Sequence, residues 1–338
     1  MNDEQFLELL ENAPKNNNIV KYLMVMRNKL QQYKRIMVSY SGGSDSDIVL
    51  DLIELVKPDN CGEIKYVFFD TGLEWDATHR HRKEQEEKYG VTIEVHKPKV
   101  SIPLAVKRYG IPFFSKDVSE KIDNLQRHNF KWNNCDFETS KNIYPKCISA
   151  LKWWCCLKKS HNISKNKHLK TFLINFPPSF RISSKCCKYA KKDIAKEIIK
   201  TFKPDLQITG MRKAEGGVRS MGAIQSCFSE SRDKKGYDEF RPLWFWSDKD
   251  KQEYKEWRNI KYSDCYEVWG MKRTGCVGCP FNSKADQELA IAQEYEPQKV
   301  KAAYAVFGQS YEYRRKYIEF KEKMKREAKG ELEQQKLI

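Results

Sequence analysis

Residues 35–56 constrain the fold more than any other stretch of this chain. Arg35-Ile36-Met37-Val38-Ser39 is short, apolar and β-branched, and reads as a buried strand. From Asp47 to Val56, the apolar residues Ile48, Val49, Leu52, Ile53 and Val56 recur at helical spacing. Between these segments lies Ser41-Gly42-Gly43-Ser44-Asp45-Ser46, a tight glycine turn leading into a helix whose first turn carries Ser and Asp caps. Unpaired backbone N–H groups and the positive end of the helix dipole converge at such a turn, which suits a phosphate. No Gly-Lys-Ser/Thr follows, so this is not a Walker-type loop.

The rhythm continues as an α/β fold with a parallel sheet flanked by helices. Strands are expected at 35–40, 64–69, 91–95 and 206–209, with helices at 46–57, near 75–89 and from about Lys185. Sheets of this kind bind ligands beyond the carboxyl ends of their strands. The turns Ser41–Ser46, Asp70–Gly72 and Gly210–Arg219 are therefore expected around one crevice. The chain divides into a helical N-terminal segment (1–34), interrupted at Pro14 and the following Asn run, and an α/β domain (35–225) carrying an insertion at about 110–180. A Cys-rich region follows (226–338), ending in a charged helical tail. Residues 226–283 show few helical patterns, and the tail from about Pro297 reads as a helix pair.

Charge points outward to a partner. Lys and Arg number 62 against 46 Asp and Glu in 338 residues, a formal net charge of +16. Such a balance favours a polyanion, tRNA or DNA, through counterion release. No apolar run reaches the roughly 18–20 residues needed to cross a bilayer, and Met1-Asn2-Asp3-Glu4-Gln5 has no signal-peptide character. A cytoplasmic protein without membrane attachment is expected. There the 11 cysteines point to metal or redox chemistry and away from a disulfide framework.

Two further loops carry chemistry. Asp70-Thr71-Gly72 closes the second strand. Gly210-Met211-Arg212-Lys213-Ala214-Glu215, continuing to Arg219, follows a later strand and presents arginines suited to gripping phosphate in bidentate fashion. Among the cysteines, Cys186-Cys187 and Cys276-Val277-Gly278-Cys279 form a CC…CxxC arrangement. Four thiolates suit a [4Fe–4S] cluster or a structural zinc, and adjacent cysteines are an unusual pattern for zinc. Cys265 is a substitute candidate and Cys227 a weaker one. Cys155-Cys156, after Trp153-Trp154, is a rival pair, and Cys61, Cys135 and Cys147 read as ordinary thiols. Lys185, Lys188 and Arg273 flank the chosen cysteines and would offset thiolate charge.

These motifs together carry a resemblance. Ser41–Ser46 resembles the SGGxDS loop of the PP-loop ATP pyrophosphatases, which cleave ATP between its α and β phosphates. Asp70-Thr71-Gly72 is similar to a motif of the phosphoadenosine phosphosulfate (PAPS) reductase branch. Gly210, Arg212, Glu215 and Arg219 match the G-x-R-x-x-E-x-x-x-R segment of that family, and the cysteine order resembles its iron–sulfur subgroup. The resemblance implies ATP with Mg²⁺, held by Ser39, Ser41, Gly42, Gly43, Ser44, Asp45, Ser46, Asp70, Thr71, Gly72, Gly210 and Arg212. Asp45, Ser46, Arg212 and Arg219 would act in catalysis, Asp45 by orienting the loop or helping to hold Mg²⁺. It further implies a [4Fe–4S] cluster on Cys186, Cys187, Cys276 and Cys279, with zinc as the alternative.

Reductases of this family attack sulfur with a cysteine near the C-terminus, whereas the last cysteine here is Cys279 and the phosphate loop is the intact SGGSDS. The expected chemistry is therefore ATP cleavage to AMP and pyrophosphate, adenylating an acceptor for sulfur transfer to tRNA or DNA from a sulfur-donor protein. A PAPS or adenylylsulfate reductase is one alternative. A non-catalytic subunit that binds nucleotide and nucleic acid is the other. Lys131, Trp132, Lys152, Trp153, Trp154, Lys158 and Lys159 in the insertion are candidates for nucleic-acid contact, with buried core as the competing reading of the tryptophans.

Overall fold

The computed structural model describes residues 1–159, 161–216 and 226–335, so Arg219 lies outside the described residues. The chain forms two compact units, Met1–Pro98 with Ala190–Cys276 and Lys99–Tyr189 with Val277–Ile338. These cut across the linear division 1–34, 35–225 and 226–338. The N-terminal helices are part of the sheet domain, and the Cys-rich region is split at Cys276.

The first unit is built on a six-stranded sheet ordered β3-β2-β1-β4-β6-β5. Its strands are β1 (Arg35–Tyr40), β2 (Glu63–Phe69), β3 (Ile93–His96), β4 (Leu206–Thr209), β5 (Phe228–Ser229) and β6 (Asp238–Phe240). All pairings are parallel except β5 with β6. Side chains alternate between two covered faces, as the pleat requires. Ile36, Val38, Tyr40, Tyr66, Phe68, Leu206 and Ile208 join the larger core, whereas Met37 and Val67 pack with Ile194, Ile198 and Phe202 on the other face.

The larger core is completed by α2 (Asn17–Gln32) and α3 (Ser44–Val56), which follow the short α1 (Asp3–Glu11). Asn16 caps α2 by accepting from the Asn18 and Ile19 N–H groups. Ile19, Tyr22, Leu23, Met26 and Leu30 of α2 are fully buried, which makes the 1–34 segment structural. A fourth helix, α4 (Asp76–Tyr89), ends at Gly90 in the left-handed conformation. Because β1 lies between β2 and β4, the winding direction reverses at β1. That reversal is where sheets of this kind open a crevice at their carboxyl edge.

The second unit is helical, with segments Ile102–Tyr109, Lys116–Arg127, Phe137–Ile143, Ile148–Trp154, Leu169–Asn175, Ala285–Tyr295 and Pro297–Gln335. The tail is one 39-residue helix from Pro297, not a pair; its antecedent partner is Ala285–Tyr295. Tyr313 and Tyr317 of the long helix pack on Phe113 and Phe172. The helix expected from Lys185 is interrupted: Lys185–Cys187 is followed by a π-helical turn, Lys188–Lys192, before Asp193–Phe202. Among the described residues no helix is long and apolar enough to cross a membrane.

Candidate functional site

In the first unit the loop after β1 is shaped by its own side chains. Gly42 turns the chain with φ +67°, and Gly43 stands at the start of α3. Ser46 Oγ accepts from the Gly43 N–H (3.0 Å), donates to the Gly43 carbonyl (2.7 Å) and lies 3.2 Å from Ser41 Oγ. The loop after β4 meets it backbone to backbone. A Cβ on Gly210 would stand 3.0 Å from the Asp45 carbonyl oxygen, so a side chain there would press on the backbone of the phosphate loop. Ser39, on β1, is in register with Val67 and Thr209, one strand away on either side.

Asp45 and Arg212 meet as a charged pair. Arg212 Nε donates to both carboxylate oxygens of Asp45 (3.0 and 3.1 Å), and its Nη1 donates to Asp248 (2.9 Å). Burial works against the guanidinium charge, but Asp45 and Asp248 more than offset it and hold Arg212 above its ordinary pKa. Lys251 Nζ lies 2.7 Å from Asp45 and donates to Ser44 Oγ at 2.5 Å. The structure thus gives Asp45 two cationic partners from the protein itself, Arg212 and Lys251. Asp47, fully buried, accepts from Tyr40 Oη at 2.7 Å and pairs with His81 Nε2 at 3.0 Å.

The N-terminus of α3 is covered by a group that the sequence did not disclose. The Tyr266 hydroxyl lies against it: a Cβ on Gly43 would stand 3.2 Å from that oxygen. It also accepts from the Thr274 N–H at 3.2 Å. Burial pushes the Tyr266 phenol up against the hydrogen bond from Thr274, so it is a neutral hydroxyl. Beside it, Ser41, Phe68, Phe69, Glu74, Thr78 and Lys191 line a cleft at the carboxyl ends of β1 and β2.

The Asp70–Gly72 turn is also self-contained. Asp70 accepts from the Gly72 N–H (2.9 Å), and the buried Glu74 accepts from both the N–H (2.8 Å) and the hydroxyl (2.7 Å) of Thr71. Asp70, Glu74 and His79 bring ligand atoms within 4.8 Å of one another. Thr71 Oγ1 is 3.4 Å from Cys276 Sγ.

Cys186, Cys187 and Cys279 belong to the second unit, and Cys276 is the last residue of the first. Burial pushes the Cys279 thiol up to about 11; the Phe281 backbone opposes the shift, and the Cys187 charge adds to it. A buried thiol with a second thiol close enough to disfavour its ionisation suits a thiophilic metal, whose positive charge would reverse that effect. Gly278 lets the CxxC turn form: its φ is +61°, and a Cβ there would lie 2.5 Å from Tyr311 Oη. Cys265 is fully buried in the short helix Asp264–Glu267 of the first unit. Cys155 pairs with Cys135 (Sγ···Sγ 3.9 Å). Lys185 is turned to Asp123 (3.8 Å) and the Tyr109 ring.

The phosphoadenosine phosphosulfate reductase domain family matches residues 35–134 and 156–282, more than half of the chain, including all six strands of the sheet. The chain belongs to this family. The PAPS reductase domain so defined takes in the loop after β1, the turn after β2, the segment after β4 and both cysteine pairs. A protein of Methanocaldococcus jannaschii, itself uncharacterised, is 36% identical over 90 residues, which are 26% of this chain and 18% of that protein. This chain therefore matches less than a fifth of that relative's length. Among solved structures, the PAPS reductase of Candida auris in its phosphate complex aligns with TM-score 0.41 and 15% identity, covering 82% of this chain and 96% of that one. The U34-tRNA thiolase NcsA of Methanococcus maripaludis, with its [4Fe–4S] cluster, aligns with TM-score 0.38 and 14% identity, covering 89% and 80%.

Ser41 to Ser46, Gly210 and Arg212 are neighbours in the first unit. Glu74, Lys251, Tyr266 and Thr274 were not foreseen. Lys251 lies in a charged helix, Asp248–Arg258, whose sequence has almost no apolar stripe, and the others carry no motif. Trp153 and Trp154 are buried core, so the insertion does not offer them to a ligand.

Proposed function

We propose that this protein is an ATP pyrophosphatase of the PAPS reductase family that adenylates an acceptor, as the first half of sulfur transfer to nucleic acid. One observation carries the reading: an intact SGGSDS loop starts a helix at the winding reversal of the sheet, with Arg212 locked onto Asp45 beside it. The first-turn N–H groups of α3 are the donors for a departing pyrophosphate. Ser41, Ser44 and Ser46 add hydroxyls, and Arg212, Lys251 and Mg²⁺ balance the charge that develops on the leaving group. The aromatic walls Phe68 and Phe69 suit the adenine ring. No covalent nucleophile from the protein is required, because positioning and electrostatics suffice for such a transfer.

Cys186, Cys187, Cys276 and Cys279 would hold a [4Fe–4S] cluster, which supplies a site for binding sulfide. The net charge of +16 fits a tRNA or DNA acceptor. The decisive test is release of AMP and pyrophosphate from ATP by anaerobically purified protein with candidate tRNA or DNA. Ser46→Ala is expected to lower the rate about 10²-fold. Wild-type protein that releases neither product, yet frees sulfite from PAPS with thioredoxin, would make it a reductase instead.

A further inference from the structure

The second unit holds a cleft that the ATP chemistry does not use. It has a volume of ≈ 290 Å³ and is lined by Asn129, Phe130, Trp132, Pro178, Phe180 and Arg181, among others. That is close to the ~300 Å³ lower end of small-ligand clefts. We propose that this cleft receives an unpaired nucleobase of the acceptor strand, stacked on Trp132, with its phosphate held by Arg181. The inference deepens the sulfur-transfer reading above and rests on it.

The walls are rigid. Trp132 packs edge-on against Phe130 and Trp154 (both 5.5 Å between ring centres), and Phe130 packs on Tyr144. Of the tryptophans at 132, 153 and 154, Trp132 alone is only partly buried. The opposite wall is pinned by Gln126, whose Nε2 donates to the Phe180 carbonyl (2.7 Å) while its Oε1 accepts from the Ile182 N–H (2.9 Å). The Arg181 carbonyl accepts from the Ile111 N–H at 2.8 Å. A preformed aromatic platform binds a base without the cost of ordering it.

The charge beside the cleft is positive. The buried carboxylate of Asp123 faces three cations, Arg127 at 3.3 Å and Arg181 and Lys185 at 3.8 Å each. One acidic group against three basic ones leaves a surplus for phosphate. Arg181 stays half-exposed and meets Asp123 only at 3.8 Å, so its N–H fork is available to a phosphate. Duplex is excluded by the same geometry, since a base in the stack presents no face to Trp132. The chain then runs directly from Arg181 to Cys186, a step of at most ~18 Å even when fully extended. A strand held here lies within reach of the thiols of the same unit.

The test is fluorescence anisotropy with short labelled single strands of RNA and DNA of one sequence, and the matching duplex, in the absence of ATP. Trp132→Ala is expected to weaken single-strand binding roughly 5- to 150-fold, while Trp132→Phe retains most of it. Arg181→Gln, at a half-exposed side chain, is expected to weaken binding and reduce the salt slope by about one while leaving the melting temperature near that of wild type. Tighter binding of RNA or of DNA identifies the acceptor class. Equal affinity of wild type, Trp132→Ala and Arg181→Gln, or a duplex bound as tightly as the single strands, overturns the proposal. Because binding is read without ATP, that outcome is independent of whether AMP and pyrophosphate are released.

Discussion

Asp45 and Asp47 stand two positions apart in the first turn of α3, and residues so spaced on a helix point to different sides. Asp45 faces Arg212 and Lys251. Asp47 faces inward to Tyr40 and His81. Burial disfavours the charged imidazole, yet the hydrogen bond and charge of Asp47, helped by Glu84, outweigh it and raise the His81 pKa above 6.5. A raised pKa in the folded state contributes stability that is full below 6.5 and is lost as pH rises through the folded-state value. His81→Gln is therefore expected to lower the melting temperature more at mildly acidic pH than at alkaline pH, measured by calorimetry across that range. An equal loss at both ends would assign His81 a packing role alone. At this scale the sequence disclosed what lies in one contiguous motif, Ser41 to Ser46. It could not disclose Tyr266, because the fold alone brings that side chain to the loop after β1; Glu74 is local to Thr71 but carries no motif.

Elements were legible where apolar periodicity or glycine punctuation marks them. The strands β1, β2 and β4 follow the expected bounds closely, because their burial pattern is written in Ile, Val, Leu and Phe; helix α4, which has none of these, is marked by Gly90 at its end. Asp248–Arg258 was missed because its stability comes from a Ser247 cap and a few aromatic contacts, with little apolar stripe. The CxxC turn gives a sharp test of local geometry. Gly278 and Gly270 share nearly the same φ, +61° and +64°, but only Gly278 has neighbours within 4 Å of an added Cβ. Gly270→Ala is expected to cost about 1–2 kcal/mol for the left-handed backbone alone. Gly278→Ala should cost more, because Tyr311 and Leu289 must also move. Chemical denaturation of the two variants reads the difference, and equal costs would mean that the Tyr311 contact gives way freely.

At the scale of the molecule, the sheet is held by its middle. β1 is paired on both sides, with β2 and β4, while β3 and β5 are edges. Amides of Met37 to Ser39 are expected to exchange with solvent only on global unfolding, and those of β3 sooner. Hydrogen exchange followed by mass spectrometry checks this; faster exchange in β1 than in β3 would contradict the topology. The α/β class was legible from the alternation of strands and helices. The division into two units was not, because each unit is assembled from two separated stretches of chain and no local composition marks such a return. During synthesis this arrangement imposes a wait. β1 leaves the ribosome with β2, but its second neighbour, β4, begins only at Leu206. At ~5–20 residues per second, the flank of the central strand stands open for roughly 8–30 s. An unpaired edge is a template for other chains, so chains truncated before Leu206 are expected to aggregate, which sedimentation of such products checks; soluble truncated chains would show that the edge is shielded by other means.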